Sequence, residues 1–271
     1  MYAHAGREMT MDLGLTGKTA LVLGGGSGLG RAIAVSLARE GARVVVAGRT
    51  QDKLDATVAM IAAEGGTAWA LAWDLADLDV VDARVRSVEV RFGPVDILIN
   101  NTGGPPPSPA YGQIPDLWRR NFEAMVLSVI AITDRVLPAM RERKWGRILT
   151  STSSGVVAPI ANLALSNALR LSLVGWSKTL AREVARDGIT VNVVVPGRIA
   201  TDRVAFLDTA RAEREKRAAE DVTAESIAAI PIGRYGTPQE YGDVVAFLAG
   251  TRAAYVTGSV VRIDGGLITS I

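Results

Sequence analysis

No cysteine occurs among the 271 residues, and the single histidine is His4, in the N-terminal leader. Without thiols there is no disulfide, no cysteine nucleophile and no sulfur-ligated metal. With one histidine, remote from everything else, neither histidine base catalysis nor a histidine metal centre is expected, and no metal site is predicted. Aromatic residues make up only 5% of the chain, and no apolar run is long enough to span a bilayer. The leader MYAHAGREMTMDLG has no apolar core of the signal-peptide kind. Charge of one sign is not accumulated either: 30 basic side chains against 28 acidic ones leave +2, without a block of like charge. These absences argue against nucleic-acid and membrane partners and predict a soluble, cytoplasmic protein.

What is present is a large apolar fraction, 48%, in a chain long enough to bury one sizeable core. Residues 1–14 are polar and without period, and read as a flexible arm. Residues 15–271 read as a single domain. An apolar run, Thr19 to Leu23, enters the turn Gly24-Gly25-Gly26-Ser27-Gly28-Leu29-Gly30, and apolar residues at helical spacing follow at Ile33, Ala34, Leu37 and Ala38. Such a strand, turn and helix suit a phosphate, because glycine permits positive φ and close approach while the helix N-terminus offers unpaired amides and partial positive charge.

The alternation continues along the chain. Strands are expected at Arg43–Ala47, Ala68–Trp73, Val95–Asn100, Gly146–Thr150, Thr190–Val195 and Val260–Ile263. Helices are expected at 52–64, 78–92, 117–140, 163–186 and 238–248. Continuous apolar strands alternating with amphipathic helices predict an α/β fold, a doubly wound parallel sheet that binds ligands beyond the carboxyl ends of its strands. Gly24 to Gly30, Arg49, Asp74 and Asn101-Thr102-Gly103 each follow a strand, so they gather on that edge.

The turn GGGSGLG, NNTG at 100–103 and PGRIAT at 196–201 together resemble the short-chain dehydrogenase/reductase family, over about residues 15–268. The resemblance implies a Rossmann-type sheet of about seven strands, a nicotinamide dinucleotide lying across it, and a homodimer or homotetramer built on the two long helices. It assigns Gly24, Gly26, Ser27, Gly28, Leu29 and Gly30 to the diphosphate turn, Asp74 and Leu75 to the adenine, and Asn101 and Gly103 to the adenosine ribose. Pro196, Gly197, Ile199 and Thr201 fall in the loop that holds the nicotinamide carboxamide. At the end of the second strand stands Arg49, with no acid from Arg43 to Thr50. An arginine there can pair with the 2′-phosphate of NADP, whereas an acid would favour NAD, so NADP is expected and NAD is the alternative.

The catalytic positions depart from the family. There, a serine after the fifth strand is followed by a tyrosine thirteen residues later and a lysine four beyond, with an asparagine on the preceding helix. Here Asn121 and Ser153 match, but Ser166 and Arg170 occupy the tyrosine and lysine positions, and no tyrosine-xxx-lysine occurs anywhere in the chain. An alkyl hydroxyl is a far weaker acid than a phenol, and arginine keeps its proton at every working pH. Three readings follow. Arg170 holds the ribose or an anionic substrate group while the serines bind a carbonyl and water delivers the proton. Alternatively, the chain binds NADP without turnover, as a sensor or partner subunit. Or it runs a different reaction, with Arg170 stabilising an oxyanion. A packed Ser166 and an ion-paired Arg170 form the structural alternative. By resemblance to ketoacyl reductases, the substrate is a small carbonyl compound or its alcohol. Gly103 to Pro109, rich in proline, would wall the pocket stiffly. Tyr111 just beyond reads as a packing residue or a replacement acid. The charged stretch 201–230 falls at the family's substrate lid and reads as a solvated helix face or a mobile cover.

Overall fold

The computed structural model describes residues 11–271, so His4 and most of the leader lie outside the described residues. Seven strands form one parallel sheet: β1 (Thr19–Leu23), β2 (Arg43–Gly48), β3 (Thr67–Ala72), β4 (Ile97–Asn100), β5 (Gly146–Ser151), β6 (Ile189–Pro196) and β7 (Val260–Ile263). Their order is β3-β2-β1-β4-β5-β6-β7. The chain therefore winds outward from β1 to β3, then returns to β4 on the other side of β1, which opens a crevice between the two. Val22 pairs with Val46 on one side and Ile99 on the other.

The residue pattern explains why both faces are covered. Along β1, β2 and β4, Ala20, Val22, Val44, Val46, Ile97 and Ile99 pack into one helical layer. The intervening Leu21, Leu23, Val45, Ala47 and Leu98 pack into the other. The first layer is formed by α1 (Gly28–Arg39), α2 (Gln51–Ala63) and α9 (Pro238–Ala249); the second by α3 (Val81–Phe92), α5 (Ser128–Glu142) and α6 (Ala164–Val184). α1 and α9 meet closely because Gly242 has no side chain: a Cβ there would lie 2.7 Å from Ala32 O.

Three boundaries differ from the sequence expectation, each for a local reason. The helix expected from residue 78 begins at Val81, because the carboxylates of Asp74 and Asp77 accept from the Ala76 and Asp79 amides, 3.1 and 3.2 Å, and hold turns instead. The helix expected over 117–140 is interrupted. α4 (Pro115–Phe122) passes through one wide turn, Glu123–Leu127, before α5. Asn121 Nδ2 and Ser128 Oγ flank it, donating back to Leu117 O at 2.7 Å and Ala124 O at 2.8 Å, and such turns concentrate at functional sites. Finally, within the stretch read as an arm, Leu13 is buried and its carbonyl accepts from Thr251 N at 2.8 Å, so residues 13–14 are tied to the domain; residues 1–10 lie outside the described residues.

The stretch after β6 forms two helices, α7 (Asp202–Glu215) and α8 (Ala219–Ala228). Its charges do more than face solvent. Arg211 bonds Glu215 and Glu225, and Arg217 bonds the same two carboxylates, so the pairs join α7 to α8. Among the described residues no helix is long and apolar enough to cross a membrane.

The packing of Leu13 yields a test. Leu13→Ala is expected to lower unfolding free energy by about 2–4 kcal/mol in urea denaturation, whereas Met11→Ala, at an exposed position, should stay within about 0.5 kcal/mol.

Candidate functional site

A cleft of about 770 Å³ opens beyond the carboxyl ends of the strands, where the sheet order reverses. Its lining includes Gly24, Gly26, Ser27, Gly28, Leu29, Arg49, Asp74, Leu75, Asn101, Gly103, Pro196, Gly197, Ile199 and Thr201, together with Asn121, Ser153, Ser166 and Arg170. Of the residues assigned in the sequence to the coenzyme or to catalysis, Gly30 alone is absent from the lining. Gly30 faces the protein: a Cβ there would sit 2.1 Å from Gly24 O and 2.9 Å from Asn101 Nδ2. Its missing side chain lets α1 pack closely against the ends of β1 and β4.

The glycine turn is oriented by donors that sequence reasoning missed. Gly24 and Gly28 have φ of +61° and +51°, which only glycine adopts readily. Thr57 Oγ1, from α2, donates to Gly25 O at 3.1 Å, and the Arg31 guanidinium donates to Gly26 O at 2.6 Å. With these carbonyls drawn back, the N-terminus of α1 carries no side-chain cap, since Ser27 makes none. An uncapped helix start beside a glycine cradle fits a phosphate group. Nothing in the pattern of Thr57 or Arg31 distinguishes them from ordinary helix residues, so no sequence signal could have found them.

At one end of the cleft, Arg49 and Lys53 are exposed and enter no ion pair among the described residues. Asp74 caps its own turn rather than a helix, and is exposed on the rim. Asn101 Nδ2 donates to Leu23 O at 3.2 Å, bracing the crevice between β1 and β4. Beyond β6, Gly197 passes so close to β7 that a Cβ would lie 2.5 Å from Asp264 Cα. Thr201 caps α7, and its Cγ2 would lie 3.5 Å from a Cβ on Gly28, so α7 begins beside the glycine turn.

At the other end, Ser166 and Arg170 share one face of α6, and both are buried. Among the described residues Arg170 has no ion-pair partner, contrary to the ion-paired alternative. Its Nη1 donates to Ser151 O at 3.3 Å, and its Nη2 to Thr102 O at 3.1 Å and Gly103 O at 3.2 Å. Burial first, and then the neighbouring Arg203 charge, pull its pKa down to about 10, so it stays cationic at neutral pH. Three of its five N–H groups serve the backbone, which leaves donor capacity for a group in the cleft. Ser153 Oγ accepts from Gly155 N at 3.2 Å.

No described tyrosine lines the cleft. Tyr111 is 93% exposed, so it neither packs nor replaces the missing acid. Tyr235 donates to Asp208 at 2.7 Å, and Tyr255 is fully exposed. Tyr241 lies behind the site, hydrogen-bonded to Ser151 Oγ at 2.8 Å, and its burial raises its pKa. Among the described residues no group of histidine and acidic side chains could hold a metal. The tri-proline segment does line the cleft, as expected, through Pro105, Pro106 and Pro107.

Residues 24–268 match the family model described as enoyl-(acyl carrier protein) reductase. The chain is 37% identical over 253 residues to the 3-oxoacyl-[acyl-carrier-protein] reductase FabG of Escherichia coli, covering 93% of this chain and 97% of that protein. Among solved structures it superposes with TM-score 0.90 on the L-sorbose reductase of Gluconobacter frateurii complexed with NADPH and L-sorbose, at 32% identity, covering 96% of this chain and 100% of that one. It also superposes with TM-score 0.89 on YwfH, an NADPH-dependent reductase involved in bacilysin biosynthesis, at 28% identity over 94% of this chain and 99% of that one.

The contact at Gly30 is open to direct test. Gly30→Ala forces its methyl group into Gly24 O, and about 2–3 kcal/mol of unfolding free energy should be lost in chemical denaturation of the ligand-free protein.

Proposed function

The chain belongs to the short-chain dehydrogenase/reductase family, and on that footing we propose that it is an NADP(H)-dependent oxidoreductase interconverting a ketone and its alcohol. The observation that carries this reading is the glycine turn, two of whose carbonyls are held by Thr57 and Arg31 beside an uncapped helix start, with Arg49 after β2 and Lys53 at the start of α2 outside any ion pair among the described residues. Gly24, Gly26, Ser27, Gly28 and Leu29 would surround the diphosphate, and Arg49 the 2′-phosphate. Asp74 and Leu75 would meet the adenine, Asn101 and Gly103 the adenosine ribose, and Pro196, Gly197, Ile199 and Thr201 the carboxamide. When bound, the dinucleotide supplies or accepts the hydride.

The chain's own residues do the rest. Ser153 and Ser166 donate to the carbonyl oxygen and fix its position. Arg170 adds a permanent charge that favours the developing alkoxide in a poorly solvated place. It cannot hand over its proton at neutral pH, so water protonates that oxygen. Asn121, held by its bond to Leu117 O beside the wide turn, borders the cleft next to α6. Exposed Phe122 and Leu171, on α4 and α6, support a homodimer or homotetramer joined through those helices.

The absence of a tyrosine from the described lining favours one further reading: a protein that binds NADP(H) without turnover and acts as a sensor or partner subunit. Incubation with NADPH and a panel of ketones separates the two. An oxidoreductase shows both quenching of NADPH fluorescence on binding and its oxidation. A binding protein shows only the first.

Two further outcomes are expected. Arg49→Ala should weaken NADPH binding by about tenfold or more in fluorescence titration, while NADH binding stays within about twofold. With no phenol to titrate and Arg170 charged until about pH 10, ketone reduction should show no inflection between about pH 6 and 9. The rate should fall only as the guanidinium loses its charge at higher pH.

A further inference from the structure

The cleft carries cations at both ends. At one end they are Arg49, just after β2, and Lys53, in the first turn of α2; at the far end they are Arg170 and Arg203. The other arginines of the lining are neutralised nearby, Arg198 by Asp208 and Arg211 and Arg214 by Glu215. Arg203 is not. It sits in the first turn of α7, half-buried, and its guanidinium lies over the backbone of the stiff loop after β4. Nη2 donates to Pro105 O at 2.6 Å, and Gly104 leaves room for it, since a Cβ there would be 3.1 Å from the same nitrogen. Burial lowers its pKa, and its charge in turn lowers that of Arg170. Two guanidinium groups thus share one end of a cleft, bonded only to carbonyl oxygens and repelling each other. The one acid nearby in the lining, Asp202, is exposed.

Two like charges brought into a half-buried site call for an anion between them. The first pair has one in the proposed coenzyme: the 2′-phosphate. The diphosphate has its own place at the glycine turn. Neither meets Arg203, and the alkoxide assigned to Arg170 is transient, which leaves the substrate to supply a lasting anion at this end. Resting on the oxidoreductase reading above, we propose that the substrate carries a carboxylate as well as the reacting carbonyl, and that Arg203 of the lid is the residue that recognises it. Arg170, held by Ser151, Thr102 and Gly103, is then the fixed wall. Arg203, hung on α7 where the lid begins, is the partner that closes over the acid.

The test compares a series of short oxo carboxylates, each beside its methyl ester, using the full chain with NADPH. The acid should exceed its ester in kcat/KM by about tenfold or more, and raised salt should narrow the gap. In Arg203→Ala the ratio should fall towards one through KM, with NADPH affinity held within about twofold, and Arg203→Lys should restore part of it. An ester used as well as its acid overturns the proposal, and so does an acid preference that survives in Arg203→Ala. If NADPH affinity falls in that variant while the ratio is unchanged, Arg203 serves the coenzyme and the proposal is wrong. If no compound is turned over, the oxidoreductase reading fails separately, and calorimetry of the same acids and esters on NADPH-loaded protein decides. Binding of acid but not ester, lost in Arg203→Ala, upholds carboxylate recognition. Equal binding, or none, refutes it.

Discussion

Between the ends of β1 and β4 and the first turn of α1 there is no room for a side chain. A methyl group at Gly30 would overlap the carbonyl oxygen of Gly24, and the Asn101 amide fills the remaining space while bonding Leu23 O. This contact brings the helix start onto the strand ends and thereby points its amides into the crevice made by the reversal of strand order. The direction is then enforced from behind: Thr57 and Arg31 hold the turn's carbonyls away from the cleft. The place proposed for the diphosphate is thus furnished by backbone alone, with no side chain of the turn contributing a charge.

The second organising feature is electrostatic and has the opposite character. Arg170 is buried without a carboxylate, and three carbonyl oxygens at the ends of β4 and β5 take its donors. Carbonyl dipoles stabilise a cation less than an anion would, and this leaves the guanidinium's net charge available to the cleft. The site is therefore built for charge that stays in place, whereas the family's tyrosine and lysine form a site through which a proton moves. That difference underlies both the water-borne proton and the flat pH response argued above.

The sheet, its strand ends and its helices were readable because their signals are local: β-branched runs for strands, apolar spacing for helices, glycine where the chain must turn. All but one of the residues assigned to the coenzyme or to catalysis line the cleft, most of them just beyond a strand, because parallel strands bring their ends to one edge. What escaped notice depended on partners far away in sequence. Gly30 reads as a phosphate glycine, and only the structure adds that a Cβ there would strike Gly24 O. Thr57, Arg31 and Arg203 act through carbonyls of other elements, which no residue pattern announces. The wide turn after Phe122 and the early packing of Leu13 are likewise settled by contacts rather than by propensity. Tyr111 looked like a packing residue because aromatic side chains usually are; the loop that carries it simply turns it outward.

The three carbonyls around Arg170 also constrain how this sequence can drift. A planar fork spans Ser151, Thr102 and Gly103 at once, but a lysine ammonium is a point donor on a flexible stem and cannot brace the loop after β4 in the same way. Return to the common arrangement of the family therefore meets a valley: the lysine loosens the loop before a tyrosine at position 166 can make use of it, and a tyrosine arriving first, in the cleft lining, finds no ammonium beside it. The pair is held by mutual dependence, so its members are expected to change together along a lineage or not at all.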